Sequence, residues 1–161
     1  MKSKRRKLLI VFLWLLVLTT AAVIFFFSSQ DAEASTQTSN GFVFFWARLV
    51  IPGFDGMTIR EQRAILKQAQ GIIRKAAHFS EFAMLGASLR LLFHALRLRW
   101  PVLCAWTVGT LYACTDEVHQ IFVSGRAGMW QDVCIDSAGV LAAVLLTTLW
   151  LWLRRRRRRR A

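Results

Sequence analysis

The chain has 161 residues, 55% of them hydrophobic, and a formal charge of +13. Its apolar residues come in blocks instead of alternating with polar ones, which excludes an ordinary water-soluble domain and is the pattern of a multi-span membrane protein. The charge does not make it a nucleic-acid binder, because most lysines and arginines cluster beside the apolar blocks and no RNA- or DNA-binding motif accompanies them.

Residues 1–7 (MKSKRRK) form a basic flank to an apolar run at 8–27, long enough to span a hydrocarbon core. The run is longer than the apolar centre of a signal peptide and no small-x-small cleavage site follows, so it reads as a retained first transmembrane helix. Residues 28–41 (SSQDAEASTQTSNG) lack periodicity and apolar content and read as an extramembrane loop. Residues 42–53 (FVFFWARLVIPG) are too short to span and rich in aromatic rings, as befits an interfacial segment. Thr58 and Glu61 in TIRE form a capping box, which predicts a short polar helix over 59–70.

A second span is expected at 72–96, a third at 101–123 and a fourth at 132–153, followed by seven arginines at 154–160. The connection between the second and third spans is so short that they must be antiparallel neighbours. SGRAGMWQ, at 124–131, has the glycines and serine of a tight turn. The expected fold is all-α, an integral membrane bundle of four transmembrane helices in one domain over 1–161. An outer loop at 28–71 would carry a short amphipathic helix, and the arginine tail at 154–161 would be cytoplasmic. The basic clusters at the N-terminus, at Arg97 and Arg99 and in the tail fall on one side, which places both termini in the cytoplasm. The tail itself reads as a stop-transfer anchor and an anionic-lipid contact.

The spans are not uniformly apolar. Measured up from the cytoplasmic ends at about 1.5 Å per residue, Glu81, Asp116 and Asp136 all lie about 24–27 Å deep, just inside the outer boundary. Arg74, Lys75, His78 and Glu81 share one arc of the second span. Asp116, Glu117 and Gln120 share one on the third, and Asp132, Asp136, Gly139 and Ala143 form a stripe on the fourth whose small residues admit a close neighbour. With Arg126 in the turn, these residues define an outward-facing polar pocket lined by Lys75, His78, Glu81, Asp116, Glu117, Gln120, Arg126, Asp132 and Asp136. One arrangement is a salt-bridged plug in which Arg74, Lys75 and Arg126 pair with the carboxylates. The five acids outnumber the three bases, however, and His78 titrates near neutral pH, so a bound cation, a raised carboxyl pKa or a cationic ligand also fits.

His78 and Glu81 resemble one half of a bundle metal site, and Asp116, Glu117 and Asp136 could hold a hard divalent cation, but no metal ligand set is assigned. For general acid/base chemistry the candidates are His78 and Glu117. No nucleophile is marked, since Ser80 and Ser124 lack a GxSxG context. Cys104, Cys114 and Cys134 lie in apolar segments without metal spacing and read as small buried residues. A Cys114–Cys134 disulfide is conceivable, and nothing requires it. His119 reads as a hydrogen-bonded spectator, and Arg90 and His94 as snorkelling side chains near the cytoplasmic end.

Three segments carry a resemblance: FSSQ at 27–30, RKAAHFSEFAMLG at 74–86 and TDEVHQIFVSGRAGMWQDVCIDSAG at 115–139. In their order and spacing the sequence resembles the VanZ-like family of small bacterial membrane proteins. The matched positions are Lys75, His78, Glu81, Asp116, Glu117, Gln120, Arg126, Asp132, Asp136 and Gly139. Phe82 stands where many relatives have Tyr, Ser124 where Pro is common, and Asp136 where Asn is frequent, so the pocket gains a carboxyl. The resemblance implies four spans in the bacterial cytoplasmic membrane and a link to envelope antibiotic tolerance, since the founding member is associated with low-level teicoplanin resistance. Expected partners are membrane lipids, a lipid-linked envelope precursor or a lipoglycopeptide. A hydrolase or transferase acting on a phospholipid or polyprenyl-phosphate head group is the alternative, with Lys75 and Arg126 holding the phosphate; a transporter is a third reading.

Overall fold

The computed structural model describes residues 2–160, and among them every regular element is helical. The helices are α1 (Lys2–Ser28), α2 (Ala32–Val50), α3 (Ile59–Leu96), α4 (Pro101–Gln120) and α5 (Trp130–Arg160), with a 3-10 turn at Phe54–Gly56 between α2 and α3.

Two of these elements correct the sequence expectation. Residues 32–50 form one helix, where a loop followed by a separate interfacial segment was expected. Asp31 caps it by accepting from the Ala34 amide, and Glu33 lies in its first turn, where the helix dipole favours negative charge. The expected polar helix over 59–70 and span over 72–96 are one continuous helix of 38 residues. The Thr58–Glu61 capping box forms as expected, but no stop signal follows at Gly71, and a helix without a cap or a proline keeps going. At its far end Arg97 takes the left-handed conformation (φ 62°) usually given to glycine, and the Leu98 amide returns to the Phe93 carbonyl at 3.1 Å. This tight reversal joins α3 to α4 at Pro101, whose missing N–H costs nothing in a first turn.

The central element is α3, which packs against each of the other four helices. Its buried face, Phe82, Leu85, Leu89 and Leu92, meets Leu13, Val17 and Ile24 of α1, Ala105 and Ala113 of α4, and Val140 and Val144 of α5. Glycines set the closest approach. A methyl on Gly86 would lie 2.6 Å from the Val140 carbonyl oxygen, and one on Gly139 would collide with the Phe79 carbonyl. Gly109 of α4 likewise receives the Val140 side chain. Polar ties add to this packing: Tyr112 donates to the Ala21 carbonyl at 2.8 Å, and Arg90 donates to Thr148 at 2.8 Å. Arg90 is therefore buried and bonded rather than snorkelling.

The core is narrow, and most large apolar side chains point outward. Leu8, Phe12, Leu15 and Leu18 of α1 and Leu145, Leu146, Leu149 and Trp152 of α5 are all exposed. Two helices, over Ser3–Ser28 and Trp130–Arg159, are long and apolar enough to cross a membrane. Only 22% and 28% of their most apolar stretches are buried, which is not how the core helix of a soluble protein behaves. This is the surface of a membrane protein. The polar groups of α3 and α4 dilute their apolar runs, and these two helices do not meet the same measure of length and apolarity. The cysteines follow the same logic: Cys114 and Cys134 are exposed, Cys104 is half-buried and all three are free, so neither the expected burial of Cys114 and Cys134 nor the disulfide is realised.

Candidate binding pocket

At one end of the bundle α3, α4 and α5 bring ionisable side chains together. The turn spacing of each helix does this: His78 and Glu81 lie one turn apart on α3, Asp116 and Gln120 one turn apart on α4, and Asp132 and Asp136 one turn apart on α5. Asp116, Glu117, Gln120 and Asp136 are buried, while His78, Glu81, Asp132 and Arg126 are half-buried. Lys75 is exposed on α3, outside this group.

Gln120 organises the α4 wall. Its side-chain amide donates to Asp116 Oδ2 at 3.0 Å and to Glu117 Oε1 at 3.4 Å. Glu117 Oε2 accepts from the Met129 amide at 2.8 Å, so this carboxylate folds the 121–129 loop back over the end of α4. Gly128 sits where a methyl would lie 2.7 Å from the Glu117 carbonyl, and Gly125 (φ 71°) makes the turn. The same loop delivers Arg126, which donates to the Phe27 carbonyl at the end of α1 at 3.2 Å. Burial pushes the Arg126 guanidinium below its ordinary value, and Arg74 adds to this, against the pull of Asp116, Glu117 and Glu81.

The salt-bridged plug is not formed. Among the described residues, ion pairs are confined to Arg48–Asp55 on the surface and an approach of 3.8 Å between His78 Nδ1 and Asp136 Oδ2. That distance is beyond hydrogen-bond reach. Both Asp136 oxygens, His78 Nδ1, Asp132 Oδ1 and Arg126 Nε are buried without a hydrogen-bond partner. Native proteins rarely leave such groups orphaned, and where they do a ligand, ion or water is the usual reason.

Beside this cluster lies a cavity of about 220 Å³ lined by Phe27, Gln30, Ser35, Ile73, Arg74, Ala77, His78, Glu81 and Arg126. Sequence reasoning missed the part of this wall that α2 supplies, Ser35. The signal was present in Asp31 and Glu33, a capping residue and a first-turn acid, but the serines and threonines behind them hid the helix. His119 is held by Ser29, with Oγ 3.1 Å from Nε2, and stacks on Phe25 at 4.7 Å, so it braces α4 against α1 outside the cavity.

Fold and site together define a small helical membrane protein with a polar, incompletely neutralised cluster buried at one end of its bundle. The chain belongs to the VanZ/LLP1 family, whose sequence model matches residues 11–152. No curated protein and no solved structure matches it significantly.

Proposed function

We propose that this protein spans the bacterial cytoplasmic membrane four times, with both termini inside. In this reading the cavity opens outward and takes up the polar end of an envelope lipid, a lipid-linked precursor or the tail of a lipoglycopeptide, giving glycopeptide tolerance of the teicoplanin type. The observation that carries it is the cavity, where two guanidinium-bearing residues, Arg74 and Arg126, face His78 and Glu81 beside an apolar rim of Phe27, Ile73 and Ala77. Cationic forks, an acid and an apolar edge suit an amphiphile with an anionic head. Expressing Arg126→Gln and Glu81→Gln in a susceptible host tests it. Both variants should insert at wild-type levels and lose teicoplanin tolerance, and unchanged tolerance at equal membrane abundance refutes the reading.

A second reading, hydrolase or transferase chemistry on a lipid phosphate, draws on the same two arginines as a phosphate clamp, with Arg74 in the place expected for Lys75, and on His78 beside them as acid or base. Purified protein incubated with phospholipid and polyprenyl-phosphate substrates should then release phosphate or exchange head groups. Absence of turnover across the panel, with and without divalent cations, removes this reading and leaves binding.

A further inference from the structure

We propose that His78, Asp116 and Asp136 form a divalent-cation site, suited to zinc before magnesium or calcium. One ligating atom from each of the three residues lies within 4.8 Å of the other two. The second observation is independent of this clustering: Asp136 has 0% of its surface exposed, and neither of its carboxylate oxygens has a hydrogen-bond partner. Oδ2 faces the equally unpartnered Nδ1 of His78 at 3.8 Å. A buried carboxylate and a ring nitrogen that face each other without other hydrogen-bond partners are suited to ligating one cation between them.

Size and charge agree. Atoms about 2.0–2.2 Å from a tetrahedral zinc lie about 3.3–3.6 Å apart, so the present separations, 3.8 Å for His78 and Asp136 and within 4.8 Å for all three, close on an ion by roughly 1 Å of side-chain movement. Asp116 is already held from behind, because Gln120 donates to its Oδ2, the kind of outer support that orients ligating carboxylates. Asp116 and Asp136 supply two carboxylates at the position, and Glu81, Glu117 and Asp132 add negative charge near Asp136. An imidazole with two carboxylates favours a borderline cation over magnesium or calcium, which prefer all-oxygen sets. Three protein ligands leave a coordination position open, and His78 also lines the cavity, so the ion would meet whatever head group enters there. The site thus rests on and deepens the binding function proposed above, sharing His78 with the cavity and adding Asp116 and Asp136.

The test uses the untagged full chain in detergent, stripped with chelator and titrated with zinc chloride against a chromophoric competitor, with bound metal counted by mass spectrometry after gel filtration. The wild type should retain about one zinc per chain, with magnesium and calcium failing to displace it at a hundredfold excess. Asp136→Asn and His78→Gln should each weaken binding at least 100-fold. Changing the three cysteines to serine together with His94→Gln, which removes adventitious ligands, should leave binding intact. Cobalt substitution of the wild type gives a readout that does not depend on any variant folding: visible bands without a thiolate charge-transfer band support the site. Substoichiometric zinc, or binding that survives Asp136→Asn and His78→Gln, overturns it. Because Arg126→Gln should lose tolerance yet keep zinc, failure of the metal site and failure of the pocket reading are told apart.

Discussion

Gly86 is where the closeness of α3 and α5 can be tested. A methyl placed there would lie 2.6, 2.9 and 3.1 Å from the carbonyl oxygen, Cα and carbonyl carbon of Val140. All three are backbone atoms and cannot rotate away. Ordinary carbon contacts need about 3.5 Å or more, so Gly86→Ala must push the helices apart by roughly 0.5–1 Å. Overpacking of this kind costs about 1–3 kcal/mol, against a gain of about 1 kcal/mol from replacing glycine by alanine inside a helix. A net loss of up to about 2 kcal/mol is expected, or up to about thirty-fold in the unfolding equilibrium. Gly71→Ala, in the same helix, is the internal control. A methyl there meets nothing within 4 Å, so only the propensity gain remains and the protein should become more stable by up to about 1 kcal/mol. Unfolding in mixed micelles titrated with sodium dodecyl sulfate, followed by the fluorescence of the seven tryptophans, measures both. Opposite signs for one substitution in one helix would establish the contact. If Gly86→Ala is as stable as Gly71→Ala, the helices do not approach as described.

Two further outcomes are expected. Tyr112→Phe removes the bond to the Ala21 carbonyl that ties α4 to α1 and should cost about 0.5–1.5 kcal/mol in the same assay, and a neutral result would show the hydroxyl bonded elsewhere. The Glu61 carboxyl is held below its ordinary value, first by the Thr58 hydroxyl and then by the Thr58 amide, so its contribution is present above the unfolded value and is lost as pH falls through the lower, folded one. Hydrogen exchange at the first turn of α3 should therefore accelerate, beyond the intrinsic pH trend, only below the usual carboxylate range, and Glu61→Gln should flatten that response.

Much of this arrangement was legible because depth along a helix follows from counting. Glu81, Asp116 and Asp136 could be placed at one level from the apolar run lengths, and the capping box at Thr58 was plain in four residues. What escaped was decided by tertiary contact. The residues at 32–41 have no apolar period, and their helix is held from outside: Gln70 of α3 donates to Asn40 of α2, and Arg48 at the far end of α2 pairs with Asp55 at 2.8 Å. Lys75 shows the limit of an arc drawn at about 100° per residue, since it and Glu81 fall on opposite edges, roughly 120° apart, and only the Glu81 edge faces the cavity. The cysteines misled for another reason: where most large apolar side chains point outward, an apolar setting in the sequence does not mean burial in the protein.

The division of labour in the bundle follows from these contacts. Close packing at Gly86, Gly109 and Gly139 and the bonds of Tyr112 and Arg90 hold the helices together without using any carboxylate of the cluster. Arg126 spends its observed bond on a main-chain carbonyl, and Asp136 makes none, so neither charge is consumed in neutralising the other. A cluster that existed to stabilise the bundle would pair its charges, because an unpaired buried charge is costly and a paired one is at best neutral. These unpaired groups are the physical reason for proposing function at this end of the molecule, and for expecting charge-removing substitutions there to cost the fold less than a methyl at Gly86, where the helices touch.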